Sequence, residues 1–193
     1  MRAALRILLA ATIAIAALGV TAAAASAVVV QDNGITCGDP LGGGPAGSGN
    51  PFTGGCDVTA HSDSSILTAS GQTLDCVVDI LDAQVSGDGD IGINEIDVTQ
   101  GTSANCDLVE PCLDPPMPWD GFVGGSTGAY TATIDFCVDT PLGTFQGPTT
   151  GELRNAAGGV PPQIEFTNAA IGSSGATLTG VYDLDPATLS VSG

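Results

Sequence analysis

The residues of this chain best suited to chemistry are carboxylates set among glycines. Residues 88–97 read DGDIGINEID. Asp88, Asp90, Asn94, Glu95 and Asp97 could supply the several carboxylate and carbonyl oxygens that a hard cation such as Ca²⁺ takes, and Gly87, Gly89 and Gly92 would permit a tight loop. The segment departs from an EF-hand. Counted as a twelve-residue loop from Ser86, it puts Asp88 and Asp90 at the third and fifth positions and Asp97 at the twelfth, but it begins on Ser and carries Ile91 where Gly belongs. A hairpin turn needs the same glycines and leaves its acids in water. Calcium is the one cofactor the sequence suggests, and it stands against this plainer reading.

A second chemistry would be nucleophilic. Gly124-Gly125-Ser126-Thr127-Gly128 matches the literal GxSxG of a nucleophile elbow. That device needs a strand leading in, a helix leading out and a histidine within reach. Gly128 leads instead into a strand pattern, and the one histidine, His61, lies in sequence beside Asp63 and Ser64. Gly42, Gly44 and Gly47 match GxGxxG, but Pro45 interrupts them and no strong strand precedes them. Trp119, the only tryptophan, could stack on a sugar ring, although a lone tryptophan more often plugs a core. Paired carboxylates for glycoside hydrolysis cannot be singled out among so many acids. No catalytic residue is therefore named.

The ends and the charge say where these residues work. Residues 1–27 run from a cationic start through an apolar stretch to Ala25-Ser26-Ala27, the form of a signal peptide with an A-x-A cleavage site. The chain has 21 acidic residues and three basic ones. Two of the three, Arg2 and Arg6, lie in the leader, so its removal takes the formal charge from −18 to −20 and leaves Arg154 as the only arginine, with no lysine. Such a field repels nucleic acid and anionic membrane surfaces. It favours cations, cell-wall glycans or basic proteins as partners. The plainer role of these acids is solubility.

The elements that must position these residues are short strands. Cys56, Val58 and Ala60 alternate with Asp57, Thr59 and His61, and Leu74, Cys76, Val78 and Ile80 alternate with Asp75, Val77 and Asp79. The apolar parity then flips to Leu81, Ala83 and Val85, which predicts a bulge near Ile80 and Leu81. Tyr130, Ala132, Ile134, Phe136 and Val138 mark another strand, with Cys137 on its polar face. Short strands come after it around residues 144–146, 151–154, 163–167, 176–184 and 188–192, and no helical period is sustained after the leader. Pro111, Pro115, Pro116 and Pro118 stiffen the crossing into Trp119.

Six cysteines, Cys37, Cys56, Cys76, Cys106, Cys112 and Cys137, make an even set in an exported chain, which reads as three disulfides. Six cysteines allow 15 pairings. The shared apolar register of Cys56 and Cys76, the closeness of Cys106 and Cys112, and the outward Cys137 favour 56–76, 106–112 and 37–137. A bridge between Cys56 and Cys76 would contribute about 3 kcal/mol by constraining the unfolded chain.

From about residue 54 onward the chain carries GGCDVTAHS, the Cys106 and Cys112 pair, PMPWDG just after it, TATIDFCVDT, TGELRNAAGGV with a following IEF, and GATLTGVYDL before a terminal LSVS. In these it resembles a loose group of short secreted proteins of high-GC Gram-positive bacteria with no assigned function. The segment from the paired cysteines to Pro118 and Trp119 is the most specific. The resemblance implies a β-rich extracellular domain and carries no active site. The group's later cysteine pair is absent, since positions 146 and 173 hold Gln and Ser.

These features predict an all-β fold, an antiparallel β-sandwich with Greek-key-like connections stapled by disulfides. Residues 1–27 form the signal peptide, 28–55 an N-terminal strand with a Gly-rich flexible segment, and 56–193 a single β domain. The expected function is that of a secreted or cell-envelope-associated acidic β domain without enzymatic activity. A calcium- or glycan-binding extracellular module is the first alternative and a secreted serine hydrolase the second.

Overall fold

The computed structural model describes residues 28–38, 55–113 and 115–193. The expected signal peptide, residues 1–27, and the glycines at 42, 44 and 47 lie outside the described residues. The chain forms β1 (Val29–Asp32), β2 (Ile35–Thr36), β3 (Cys56–Ala69), β4 (Gln72–Val85), β5 (Asp90–Gln100), β6 (Glu110–Pro111), β7 (Trp119–Ser126), β8 (Ala129–Thr140), β9 (Gly143–Arg154), β10 (Gln163–Ala170), β11 (Thr177–Asp185) and β12 (Leu189–Ser192). One short 3₁₀ turn, Cys106–Leu108, is the only helix among the described residues.

The all-β, antiparallel and disulfide-stapled expectation holds, but the sandwich does not. In the larger sheet β8, β7, β5, β4, β3, β11, β10 and β9 are neighbours in that order, and β9 pairs back onto β8. The eight strands close into a barrel in which, apart from the two-residue β6, each strand lies beside the next one in the chain. This is an up-and-down meander, with none of the long returns of a Greek key. Sandwich strands and barrel strands share the same period of two. The architectures are separated by the closing ladders of β3 on β11 and of β8 on β9, and closure removes the free edges a sandwich would retain.

The inward residues fill the barrel. Ala60, Ile93, Ala132, Ile134, Leu153 and Ile164 are buried in one continuous cluster. Gly151 makes room for the larger side chains, because a Cβ there would stand 2.8 Å from Ile164 and 3.0 Å from Phe166. One barrel end is closed by β12, β1 and β2, a small antiparallel sheet that drives Val30, Leu189 and Val191 into the cluster. The other end is closed by Leu67, Leu74, Cys106, Phe145 and Ile171. The outward face carries Asp57, Asp63, Asp97, Asp139, Glu152 and Asp183, all exposed. An apolar interior behind a carboxylate-bearing wall is the reverse of a membrane-spanning barrel. Among the described residues no helix is long and apolar enough to cross a membrane.

All six cysteines are bridged, but as 37–56, 76–106 and 112–137, so each of the pairings favoured from sequence is corrected. Cys56 and Cys76 do share a register, yet they lie far apart along one hairpin. Cys56 pairs with Val85, while Cys76 pairs with Ser65, nine residues further along β3 and about 30 Å away at ~3.3 Å per residue. Cys106 cannot take Cys112 because it is buried against β4, and the Cys112 amide donates to the Cys137 carbonyl at 3.1 Å. Cys137 fastens a loop on the outside of the sheet, as its polar-face position suggests, but that loop is the one between β5 and β7. Three closed disulfides indicate an oxidising, non-cytoplasmic setting.

Candidate functional site

The glycine-rich acids of residues 88–97 form a hairpin turn and a strand. The Ser86 amide donates to the Asp90 carbonyl at 2.9 Å, and the Asp90 amide donates to Ser86 Oγ at 2.9 Å. The Ser86 hydroxyl donates to the Asp88 carboxylate. These bonds knit a tight turn around a fully buried Ser86 and hold Asp88 beside it. Asp90, Glu95 and Asp97 then run out along β5, where Glu95 pairs with Asp82 and Asp97 with Asp79. From Asp90 to Asp97 is about 23 Å of strand. The five candidate ligands do not converge, and among the described residues no group of three or more His, Cys, Asp or Glu is placed to hold a metal ion.

The GxSxG segment is the turn from β7 to β8, with Ser126 paired to Ala129. The chain continues from it into β8 rather than into a helix. His61 lies on β3, with β4 and β5 between it and β7 in the sheet order. Its Nδ1 is 2.6 Å from Asp79 and its Nε2 is 2.9 Å from Asp63. Hydrogen bonds to Asp79 first and Asp63 second hold the imidazole above its ordinary pKa. The ladders place His61 in an outward row that reads Asp97, Asp79, His61, Asp183, Gln163, Arg154 across β5, β4, β3, β11, β10 and β9. Arg154 is held in turn by Glu152 at 2.9 Å and Glu165 at 2.8 Å. The two basic side chains among the described residues, His61 and Arg154, are thus both engaged by the chain's own carboxylates.

The concave site lies on the barrel wall nearer the second end. Pro115, Pro116 and Pro118 form one rim, Gly172 and Ser173 the other, and Trp119, Asp120, Asp135, Phe136 and the 146–148 segment of β9 lie between. The enclosed space is about 450 Å³. Each rim has a covalent or backbone anchor. Cys112–Cys137 ties the proline segment to β8, and the Gly172 amide donates to the Pro148 carbonyl at 3.0 Å. Trp119 is 7% exposed and tilts against Phe136 with ring centroids 5.7 Å apart. Its indole N–H has no hydrogen-bond partner among the described residues.

The charge of the cleft comes from Asp120 and Asp135, which are direct cross-strand partners on β7 and β8. Desolvation, then the charges of Asp135 and Asp90, push the Asp120 carboxyl above its ordinary pKa. Like charges directly opposite one another on a sheet are destabilising. With His61 and Arg154 occupied elsewhere, no basic side chain among the described residues neutralises the pair.

The sequence pattern marks Trp119 and the prolines but not this carboxylate pair, since Asp120 and Asp135 are separated by a whole hairpin. The signal available was the spacing of WDG and TIDF about the 127–128 turn, which puts both acids in one outward register once the hairpin is assumed. No family model, curated protein or solved structure matches the chain.

Proposed function

We propose that this chain is an exported, non-enzymatic binding domain, secreted or held at the cell envelope, whose lateral cleft receives a cationic side chain from a basic protein. The observation that carries the reading is the Asp120 and Asp135 pair, side by side on the wall of a rimmed cleft with no counter-ion among the described residues. A planar guanidinium offers several donors to two carboxylates at once, and the guanidinium of Arg154 is already held by Glu152 and Glu165. The surrounding negative field would speed the encounter and hold basic partners near the surface.

Two other partner classes fit less well. A sugar ring stacks on an open aromatic face, and Trp119 has only 7% of its surface free. A divalent ion prefers more oxygen ligands than two carboxylates, and the acids at 88–97 are spread along a strand. The leader and the three disulfides support export. Because Trp119 is the sole tryptophan and borders the cleft, its fluorescence reports occupancy directly. Titration with a short arginine-containing peptide is expected to shift the emission saturably at physiological salt. Calcium chloride and a neutral oligosaccharide are expected to leave it unchanged. A shift with either of these and none with the peptide would overturn the reading.

A further inference from the structure

Behind the cleft, the barrel interior is not completely filled. Toward the second end it encloses about 100 Å³ bordered by Leu74, Val78, Val98, Val109, Phe136 and Leu178. Nearly all of this lining is hydrocarbon. The polar exception is Ser65 and Tyr182, which also border the space and are 5% and 7% exposed. Ser65 Oγ donates to Tyr182 Oη at 2.7 Å across β3 and β11. Two hydroxyls carry two hydrogens, and one bond between them uses only one. The remaining hydrogen, on Tyr182, finds no acceptor among the described residues.

A dry apolar void of roughly 150 Å³ is known to take up benzene, and a space about two-thirds as large suits a molecule of about four or five non-hydrogen atoms. A buried donor without an acceptor costs free energy that a ligand oxygen would recover. We propose that this void is a second binding site, specific for a small apolar molecule with a single hydrogen-bond acceptor, such as a short ketone. The hydrocarbon part lies against Val78, Val98 and Leu178, and the acceptor takes the hydroxyl hydrogen of the Ser65 and Tyr182 pair. Phe136 borders both this void and the lateral cleft, so it is the partition between the interior and the surface. The segment carrying Val109 closes the other side and is pinned by Cys76–Cys106 and Cys112–Cys137.

The test compares butanone with 2-methylbutane on the oxidised, folded protein, with saturable methyl shifts by NMR and the change in Tm as readouts. Butanone is expected to bind about five- to tenfold more tightly, the worth of one recovered hydrogen bond. Val98→Phe, which fills the void, is expected to abolish binding of both. The double change Ser65→Ala with Tyr182→Phe is expected to bring the ketone down to the level of the hydrocarbon. Absence of saturable binding by either compound to the unaltered protein would overturn the site, and this comparison needs no variant to fold. Equal affinity for the two, or full binding in folded Val98→Phe, would overturn it equally. Because butanone bears no charge, this outcome is independent of the cationic cleft.

Discussion

Asp120 on β7 and Asp135 on β8 face each other across an antiparallel ladder with no cation between them among the described residues. The same sheet sets Glu95 opposite Asp82, but Asp120 and Asp135 are the opposed pair that lines the cleft. Putting two in direct register, with Asp90 adding to the field at Asp120, leaves a charge deficit that a ligand can fill. Sites of this kind often carry a stability cost.

That cost is measurable. Asp135→Asn is expected to stabilise the protein at pH 7 by about 0.5 kcal/mol in urea unfolding, by removing one of two opposed charges. The sign with pH comes from Asp120, whose folded-state pKa is raised chiefly by desolvation and next by Asp135. A raised carboxyl favours the folded state below the unfolded pKa, and that advantage is lost as pH rises through the folded value. The benefit of Asp135→Asn should therefore be present at neutral pH and fade as the pH falls through the raised Asp120 value.

Tyr182 gives the opposite end of the pH range. Burial pushes its phenol up to about 12, against the opposing bond from Ser65. The neutral form is thus favoured in the folded state, so this contribution is complete below the unfolded value near 10 and disappears between about pH 10 and pH 12. Two units correspond to about 2–3 kcal/mol. Unfolding followed at pH 7 and near pH 11 should show the unaltered protein losing much of this amount. Tyr182→Phe should cost about 1 kcal/mol at pH 7 and show a shallower alkaline decline.

His61 stabilises the outward acidic row only while protonated. Its pKa is raised by the bonds to Asp79 and Asp63, so its contribution is complete below the unfolded value of 6.5 and is lost as pH climbs through the raised one. The side chain is about half exposed, and solvent limits the effect to roughly 0.5 kcal/mol. His61→Gln should be less stable than the unaltered protein near pH 6. The difference should shrink near pH 9, and chemical denaturation at the two values checks it.

Much of the architecture is legible residue by residue. The alternation from Cys56 to His61 and the run from Tyr130 to Val138 lie in strands with the expected inward faces. The parity flip at Ile80 and Leu81 coincides with a register shift in both neighbouring ladders. Local pattern could not carry closure. Whether β9 meets β8 or ends at Pro148 depends on a long ladder, and Gly147, Pro148 and Gly151 read as breaks although β9 runs unbroken through them. The disulfides escape sequence reading for the same reason, because register parity says which face a cysteine occupies and nothing about its height along the barrel. The acids at 88–97 resemble ligands because turns and calcium loops draw on the same residues. Ser86, whose hydroxyl organises that turn, gives no such signal.

The cationic cleft is tested most directly by calorimetric titration of an arginine-containing peptide into the unaltered protein and into Asp120→Asn with Asp135→Asn. The double variant keeps all but two of the chain's negative charges, so general attraction to basic peptides persists while the paired site is removed. Saturable binding at physiological salt, weakened about ten- to a hundredfold in the variant, is the expected result for two lost charge-assisted contacts. Equal affinity for the two proteins would contradict a site at Asp120 and Asp135.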